Sequence, residues 1–132
     1  MELAIIFNGQ GAHYEGMGMD FVEEFQEAKE IFTQAEDITQ LLIQTWINSD
    51  INQLALTKNA QPAIVTTSLA IYESIKTKPP AIQYMAGLSL GEYSSLIASD
   101  VLELDEGLNL IKKRGDIMSA YCEHIEKDAS YL

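Results

Sequence analysis

The fold is decided by residues 82–98, which read IQYMAGLSLGEYSSLIA. Ile82 to Ala86 predicts a strand, because the run is short and mostly apolar, and Glu92 to Ala98 predicts a helix. The turn between them is Gly87-Leu88-Ser89-Leu90-Gly91, which fits the pattern G-x-S-x-G. A strand, this turn and a helix in succession are typical of a nucleophile elbow. The same pattern also occurs as a plain tight connection, so both interpretations stay open at this point.

The elbow interpretation gives Ser89 a chemical role. A bulky residue two positions away on either side would block the strained turn, and Gly87 and Gly91 leave that space free. The helix after the turn directs its first N–H groups and its positive dipole end toward the serine oxygen. The backbone N–H of Leu90 is then a candidate donor to the oxyanion of a tetrahedral intermediate, a contact that lowers a barrier by about 2.7–4 kcal/mol.

The segment before the elbow predicts an α/β fold. Leu3 to Phe7 is a continuous apolar run, typical of a buried strand in a parallel sheet. A helix is predicted with Asp20 as its N-cap and Glu23 in the capping-box position. Its apolar residues at helical spacing are Phe21, Phe25, Ala28, Phe32 and Ala35. This order of elements favours a parallel sheet flanked by helices.

Three further helices are predicted. A short one lies around residues 41–46, and a long one begins near Asn59 with Pro62 in its first turn, where a missing N–H costs little. The last begins near Asp105, and its apolar stripe is Leu104, Leu108, Ile111, Gly115, Met118 and Cys122. Residues 128–132 predict either another strand or a frayed helix end.

Length, charge and composition exclude several classes of protein. A chain of 132 residues predicts one domain. A net charge of −12 argues against binding to nucleic acid or to an anionic membrane. No apolar run approaches the roughly 20 residues of a membrane span, and no signal-peptide pattern is present. Cys122 is the only cysteine, so the chain has no internal disulfide and no zinc-ligand spacing. We therefore expect a cytoplasmic protein.

Four motifs together carry a family resemblance. They are Phe7-Asn8-Gly9-Gln10-Gly11-Ala12 with Gly16-Met17-Gly18, Asn59-Ala60-Gln61-Pro62-Ala63-Ile64, Ala86-Gly87-Leu88-Ser89-Leu90-Gly91-Glu92-Tyr93-Ser94, and Lys113-Arg114-Gly115 with Met118. In this order and at these spacings they resemble the malonyl-CoA:acyl-carrier-protein transacylases. The resemblance extends from about Leu3 to Met118, and four ordered motifs are much more specific than any single one.

The resemblance implies a role for each of five residues. Ser89 would accept the malonyl group from CoA and pass it to the phosphopantetheine thiol of the carrier protein. Leu90 and Gln10 would supply the two oxyanion donors. Arg114 would hold the malonyl carboxylate, which a guanidinium matches with two parallel hydrogen bonds. Gln61 would line the pocket. From the residues alone, a solvated helix face is the favoured interpretation for Arg114, and a polar residue near a helix start is as good an interpretation for Gln61.

The resemblance also predicts that the histidine base of the family is absent. In the family that histidine follows a ferredoxin-like subdomain inserted after the arginine helix. We therefore expect residues 1–132 to form the N-terminal part of the large subdomain, an incomplete α/β-hydrolase-like core, without the ferredoxin-like subdomain and the C-terminal part. His13, in the loop after Gln10, is a weak candidate base, and His124 lies among acidic residues typical of a solvated helix end. We expect an inactive fragment.

The expected reaction uses malonyl-CoA as substrate and acyl carrier protein as partner, with no cofactor and no metal, in fatty acid synthesis. Three alternatives remain open. An acyltransferase of a polyketide synthase shares the same motifs. A non-catalytic remnant or interaction domain would self-associate through the apolar faces of its incomplete sheet. An unrelated serine esterase would hydrolyse simple esters without needing Arg114.

Overall fold

The structure, a computed structural model, describes residues 1–129, and side chains through residue 126. Two strands and seven helices succeed one another in this part of the chain. They are β1 (Leu3–Phe7), α1 (Met19–Glu24), α2 (Gln26–Thr39), α3 (Ile43–Ser49), α4 (Ile51–Leu54), α5 (Thr57–Ile75), β2 (Ile82–Gly87), α6 (Leu90–Ala98) and α7 (Leu104–Ala129). The predicted α/β class is confirmed, in a helix-rich form with a small parallel sheet.

The sheet consists of β1 and β2, which pair in parallel with Ile5 opposite Met85 and Phe7 opposite Gly87. Parallel strands need a crossover of a dozen or more residues, and here helices α1 to α5 provide it. Because both strands end at the same edge, the loop after β1 and the turn after β2 lie side by side. This edge carries the candidate site.

The prediction that β1 is a buried strand is only half right. Side chains alternate across a strand, and in β1 and β2 one set is exposed, with Ile6 at 80% and Tyr84 at 59% exposure. Ala4 lies opposite Tyr84 and Ile6 opposite Ala86, so these residues form one continuous apolar face. The described helices leave this face open, as the alternative of a non-catalytic remnant with an incomplete sheet expects.

Helix α5 is the centre of the core. From Asn59 to Ala70 nearly every residue is buried, including polar ones, because α2, α6 and α7 all pack around it. A helix that is apolar or buried on all sides indicates a central position rather than a surface one. The largest fully buried apolar side chains are Phe32, Ile43, Ile47, Leu54, Leu90, Leu108 and Ile111.

Pro62 lies inside α5 and not in its first turn, because the helix begins at Thr57 rather than near Asn59. A proline has no N–H, so the carbonyl of Lys58, four residues earlier, loses its usual helical donor. Helix α7 packs tightly against α5 at this same point. A Cβ added to Gly115 would lie 2.9 Å from Lys58 Cα and 3.2 Å from the Lys58 carbonyl oxygen.

The predicted helix from Asp20 is two helices. Phe25 is extended (φ −126°, ψ 124°) and separates α1 from α2, which lets Phe21 stack on Phe25 with ring centroids 5.6 Å apart. Gly18, in the left-handed region, precedes α1, so Asp20 is not the N-cap; its Oδ1 accepts from the Phe21 N–H instead. A Cβ at Gly18 would clash with the Thr67 side chain, which excludes a conventional polar cap residue there.

Helix α7 follows the predicted stripe for its first half. Leu108, Ile111 and Gly115 are buried, whereas Cys122 is exposed. Lys112 Nζ donates to the carbonyl oxygen of Thr39, the last residue of α2, at 2.6 Å. A lysine at this position satisfies a free carbonyl and complements the negative helix end. Residues 128 and 129 belong to α7, and the rest of the segment predicted as a strand or frayed end lies outside the described residues.

Two negative findings apply to residues 1–129. No helix there is both long and apolar enough to cross a lipid bilayer. No group of three or more His, Cys, Asp and Glu side chains is arranged to hold a metal ion.

We predict that Gly115→Ala destabilises the protein. The new methyl group would overlap the Lys58 backbone, which cannot move without shifting α5, so we expect a loss of about 1–3 kcal/mol in the free energy of unfolding. On an open helix surface the same change stabilises by about 1 kcal/mol. Urea unfolding followed by circular dichroism measures the difference. Asn109→Ala, on the exposed side of α7, is the control and should change stability by less than about 0.5 kcal/mol.

We also predict concentration-dependent self-association through the open sheet face. Apolar side chains exposed next to one another favour association, and a strand edge without a partner adds backbone donors and acceptors. Ile6→Thr should therefore weaken association in sedimentation-velocity experiments. Leu42→Thr removes a similarly exposed side chain (62%) away from the sheet and should not. Equal effects of the two variants would contradict the assignment to this face.

Candidate active site

Ser89 occupies a strained turn at the end of β2. Its backbone lies at φ 56° and ψ −113°, a conformation that costs a non-glycine residue about 1–3 kcal/mol. The turn is closed by hydrogen bonds from the Gly91 N–H to the Leu88 carbonyl and from the Glu92 N–H to the Ser89 carbonyl, both 3.1 Å. The serine side chain is exposed at the sheet edge. These are the features of a nucleophile elbow, as the sequence predicts.

The two glycines of the elbow are required by space. A Cβ at Gly87 would lie 2.1 Å from the carbonyl carbon and oxygen of Gly91. A Cβ at Gly91 would lie 2.4 Å from the carbonyl oxygen of Phe7, the last residue of β1. Helix α6 thus begins directly against the ends of both strands.

Leu90 has a buried side chain and a backbone N–H without a helical acceptor. Its side chain is fully buried and holds the first turn of α6 in the core. Its N–H is one of the first amides of the helix, which have no acceptor within the helix. The amide next to the nucleophile is therefore fixed in place at the positive end of a helix dipole, where an oxyanion would be stabilised.

Arg114 reaches across from α7 to the elbow. Its Nη2 donates to Ser89 Oγ at 3.0 Å, and its Nη1 donates to Gln61 Oε1 at 2.6 Å. Its Cζ also lies 5.4 Å from the centroid of the Tyr93 ring. The half-buried Arg114 thus contacts three side chains next to the nucleophile. The interpretation of Arg114 as a solvated surface residue is therefore wrong.

Gln61 is a fully buried polar side chain. Besides accepting from Arg114, it directs its Nε2 at the Met118 sulfur, 3.4 Å away. A buried amide is costly unless both ends are satisfied, and a charged partner is the strongest available for its oxygen. Gln61 therefore orients the arginine rather than forming part of an open helix start.

Gln10 lies in the loop after β1, next to the elbow. A Cβ added to the preceding Gly9 would lie 3.2 Å from the Leu88 carbonyl, so this loop runs along the elbow. The side chain of Gln10 itself donates through Nε2 to Thr57 Oγ1, at the first residue of α5. The loop is adjacent to Ser89 as the sequence predicts, while the amide of Gln10 is turned toward α5. Its role as an oxyanion donor stays a prediction.

The two histidines differ in their surroundings. His13 is half-buried, and its Nδ1 is buried without a hydrogen-bond partner, so this nitrogen makes no bond to Ser89. His124 is exposed and lies ten residues beyond Arg114 on α7. At roughly 1.5 Å per residue this is about 15 Å along the helix axis, out of reach of the elbow.

Two contacts of the site were missed by reasoning from sequence. The sequence places Thr57 in no predicted element, although it accepts from Gln10. Tyr93 has no predicted role beyond its place in the elbow motif. Its position four residues after Ser89, one helical turn away, is the signal that could have placed it beside the nucleophile.

The sequence and fold of this chain resemble those of known proteins. The acyl transferase domain family matches residues 4–127. The chain belongs to this family. It is 37% identical over 119 residues to the malonyl CoA-acyl carrier protein transacylase of Bacillus subtilis strain 168, an alignment that covers 89% of this chain and 38% of the relative.

Solved structures agree with the sequence relatives. The crystal structure of the malonyl-transacylase (MCAT) of Streptococcus pneumoniae superposes with a TM-score of 0.86 at 38% identity, covering 91% of this chain and 39% of the other. A malonyl-transacylase solved in complex with a type II polyketide synthase acyl-carrier protein superposes with a TM-score of 0.85 at 31% identity, covering 91% and 40%. The chain thus spans about two fifths of the length of the relatives that it matches.

We predict that Gly87→Ala disrupts the elbow. The methyl group would collide with the backbone of Gly91, and relief requires α6 to move away from the sheet. We expect a loss of about 1–3 kcal/mol or more in the free energy of unfolding, measured by urea unfolding. Leu88→Ala changes an 81% exposed neighbour in the same turn and should be close to neutral. A stable Gly87→Ala variant would contradict the close approach.

Proposed function

We propose that this chain carries the substrate-recognition and nucleophile half of a malonyl-CoA:acyl-carrier-protein transacylase. The observation that supports the proposal best is the 3.0 Å hydrogen bond from the Arg114 guanidinium to Ser89 Oγ. It brings a carboxylate-binding group next to a strained serine. A malonyl thioester has its carboxylate one methylene away from the reacting carbonyl, so both groups are needed at this short separation.

The proposed chemistry is transfer through an ester. Ser89 Oγ attacks the thioester carbonyl, the C–O bond forms and the C–S bond to CoA breaks. The serine proton goes to a base, and the CoA thiolate leaves with a proton returned from that base. Attack by the phosphopantetheine thiol of acyl carrier protein then reverses the sequence. The Leu90 N–H stabilises the oxyanion in both steps, with Gln10 or its loop as the second donor.

Selection of malonyl over acetyl is the role of Arg114. Two of its N–H groups are engaged by Ser89 and Gln61, and a guanidinium has five. A carboxylate that replaces the serine contact gains charge-assisted hydrogen bonds of about 1.5–3 kcal/mol each. This is enough to favour malonyl over acetyl by about tenfold or more.

An apolar strip of α7 beside Arg114 is a candidate contact for the thiol-bearing arm of the substrates. It consists of the exposed Leu110 and Ile117 and the half-buried Met118, with Lys113 beside them. The pantetheine chain is common to CoA and to the carrier protein, and an apolar strip flanked by cations suits a chain that ends in a phosphate. Lys113 is exposed and so is available for that contact.

The base is expected outside the residues described. His13 Nδ1 makes no hydrogen bond, His124 is far along α7, and the chain spans only about two fifths of the matched relatives. Without a base, an enzyme of this type retains only the acceleration due to oxyanion donors and binding. We therefore expect this chain alone to bind acyl-CoA and to acylate Ser89 slowly.

A second candidate is malonyl transfer in polyketide assembly. It is favoured by the structural similarity to a malonyl-transacylase solved with a polyketide acyl-carrier protein. The chemistry at Ser89 is the same in both pathways, and the identity of the carrier protein distinguishes them.

We predict that the chain binds malonyl-CoA about tenfold more tightly than acetyl-CoA, measured by equilibrium dialysis. Arg114→Lys keeps the charge but loses the planar fork, so it should remove most of this preference. Lys113→Gln is the matched control on the same helix. It should weaken both ligands alike and leave their ratio unchanged.

Prolonged incubation with malonyl-CoA should add one malonyl group by intact-mass measurement, and Ser89→Ala should abolish the addition. Equal affinity for the two CoA esters, together with malonylation of the Ser89→Ala variant, would overturn the proposal. Rapid hydrolysis of simple nitrophenyl esters, unaffected by Arg114→Lys, would instead indicate an unrelated esterase.

A further inference from the structure

We propose that Tyr93 is a positioning residue for Arg114, and that its aromatic ring, rather than its hydroxyl, fixes the guanidinium beside the nucleophile. The inference rests on the proposed function, because the position of Arg114 matters for catalysis only if it receives the malonyl carboxylate.

The geometry brings the ring and the cation together from different helices. Tyr93 lies on α6, one helical turn after Ser89, and Arg114 lies on α7. The guanidinium carbon is 5.4 Å from the ring centroid, within the roughly 6 Å at which a cation is attracted by an aromatic face. Tyr93 is half-buried and packs against the hydrophobic core, so the ring has a fixed place.

The ring contact differs in kind from the two hydrogen bonds of Arg114. The bond to Ser89 is lost once the serine oxygen becomes part of an ester and a carboxylate takes its place. The Gln61 bond occupies one of the N–H groups. Contact through a ring uses none of them, so all N–H groups at the free edge remain available for a bidentate carboxylate. Tyr93 and Gln61 are thus the contacts that can persist through the whole reaction.

Tyr93 shares the first turn of α6 with the nucleophile. Ser89 precedes α6 directly and Tyr93 is in its first turn, so any shift of α6 moves both together. The distance between the carboxylate-binding group and the reacting oxygen is then maintained by the helix itself. This distance decides whether a malonyl group, with its single methylene between carboxylate and thioester, can reach both.

The experiment uses the fact that Arg114 is the only arginine of the chain. Its side-chain Nε–Hε group therefore gives one NMR signal that needs no further assignment. In the free protein we expect this signal to be shielded by the Tyr93 ring. Tyr93→Phe should keep the shielding, and Tyr93→Leu should remove it.

Affinity for malonyl-CoA should follow the same order. Tyr93→Leu should raise the dissociation constant for malonyl-CoA by about two- to fivefold, the range of an ordinary cation–π contact, and leave that for acetyl-CoA unchanged. Tyr93→Phe should rescue both readouts. Tyr72→Leu is the control, because Tyr72 is also half-buried but its ring contacts Phe7 and Lys76 instead.

Loss of packing could make the leucine variant unfold, so a second series keeps the ring. Replacing Tyr93 by phenylalanines of increasing fluorine content preserves the ring while weakening its negative face, and malonyl-CoA affinity should fall along the series. An unchanged Arg114 signal in Tyr93→Leu, or constant affinity along the fluorinated series, would overturn the positioning role. Equal binding of malonyl-CoA and acetyl-CoA by the unmodified chain would overturn the proposed function instead, while the shielding in the free protein would still report on Tyr93.

Discussion

The site depends on how closely the start of α6 approaches the end of β1. Gly91 lies so near the Phe7 carbonyl that a single added carbon would sit 2.4 Å from its oxygen. This contact forces the chain after β2 to turn sharply, which is why Ser89 adopts a strained conformation and projects from the sheet edge. It also presses the first turn of α6 against the loop after β1. A serine oxygen, a free helix amide and the Gln10 loop thereby share one small volume, although they come from opposite ends of a long crossover.

A second close approach brings the arginine to that volume. Helix α7 crosses α5 at Gly115 and Lys58, where Pro62 has freed a carbonyl and glycine allows backbone contact. Arg114 directly precedes the crossing point on α7, and Gln61 lies close to it on α5. The buried amide of Gln61 would be costly by itself, and its oxygen is stabilised because the guanidinium donates to it. One hydrogen bond therefore satisfies a core polar group and orients the guanidinium beside Ser89.

How far the sequence predicted this arrangement depends on whether the signal is local. The elbow could be predicted because strand pattern, glycines and helix pattern all lie within residues 82–98. The break at Phe25 and the start of α5 at Thr57 could not, since neither is marked by a local pattern of this kind. For Arg114, composition favoured a solvated helix face, and only the family resemblance suggested a site. The open sheet face was expected only under the alternative of a non-catalytic remnant, because a strand buried on one side and one buried on both give similar apolar runs.

The described residues contain some of the groups that an acyl transfer would need. They hold Ser89 in an elbow, the Leu90 amide at a helix start and the Arg114 guanidinium beside the serine oxygen. His124 lies about 15 Å along α7 from Arg114, and His13 Nδ1 makes no hydrogen bond. By donating to the serine oxygen, Arg114 favours negative charge there without removing the proton. The arginine is thus held by Gln61, Tyr93 and the elbow, and under the proposed function this prepares the chain to recognise the acyl group before a proton is removed from Ser89.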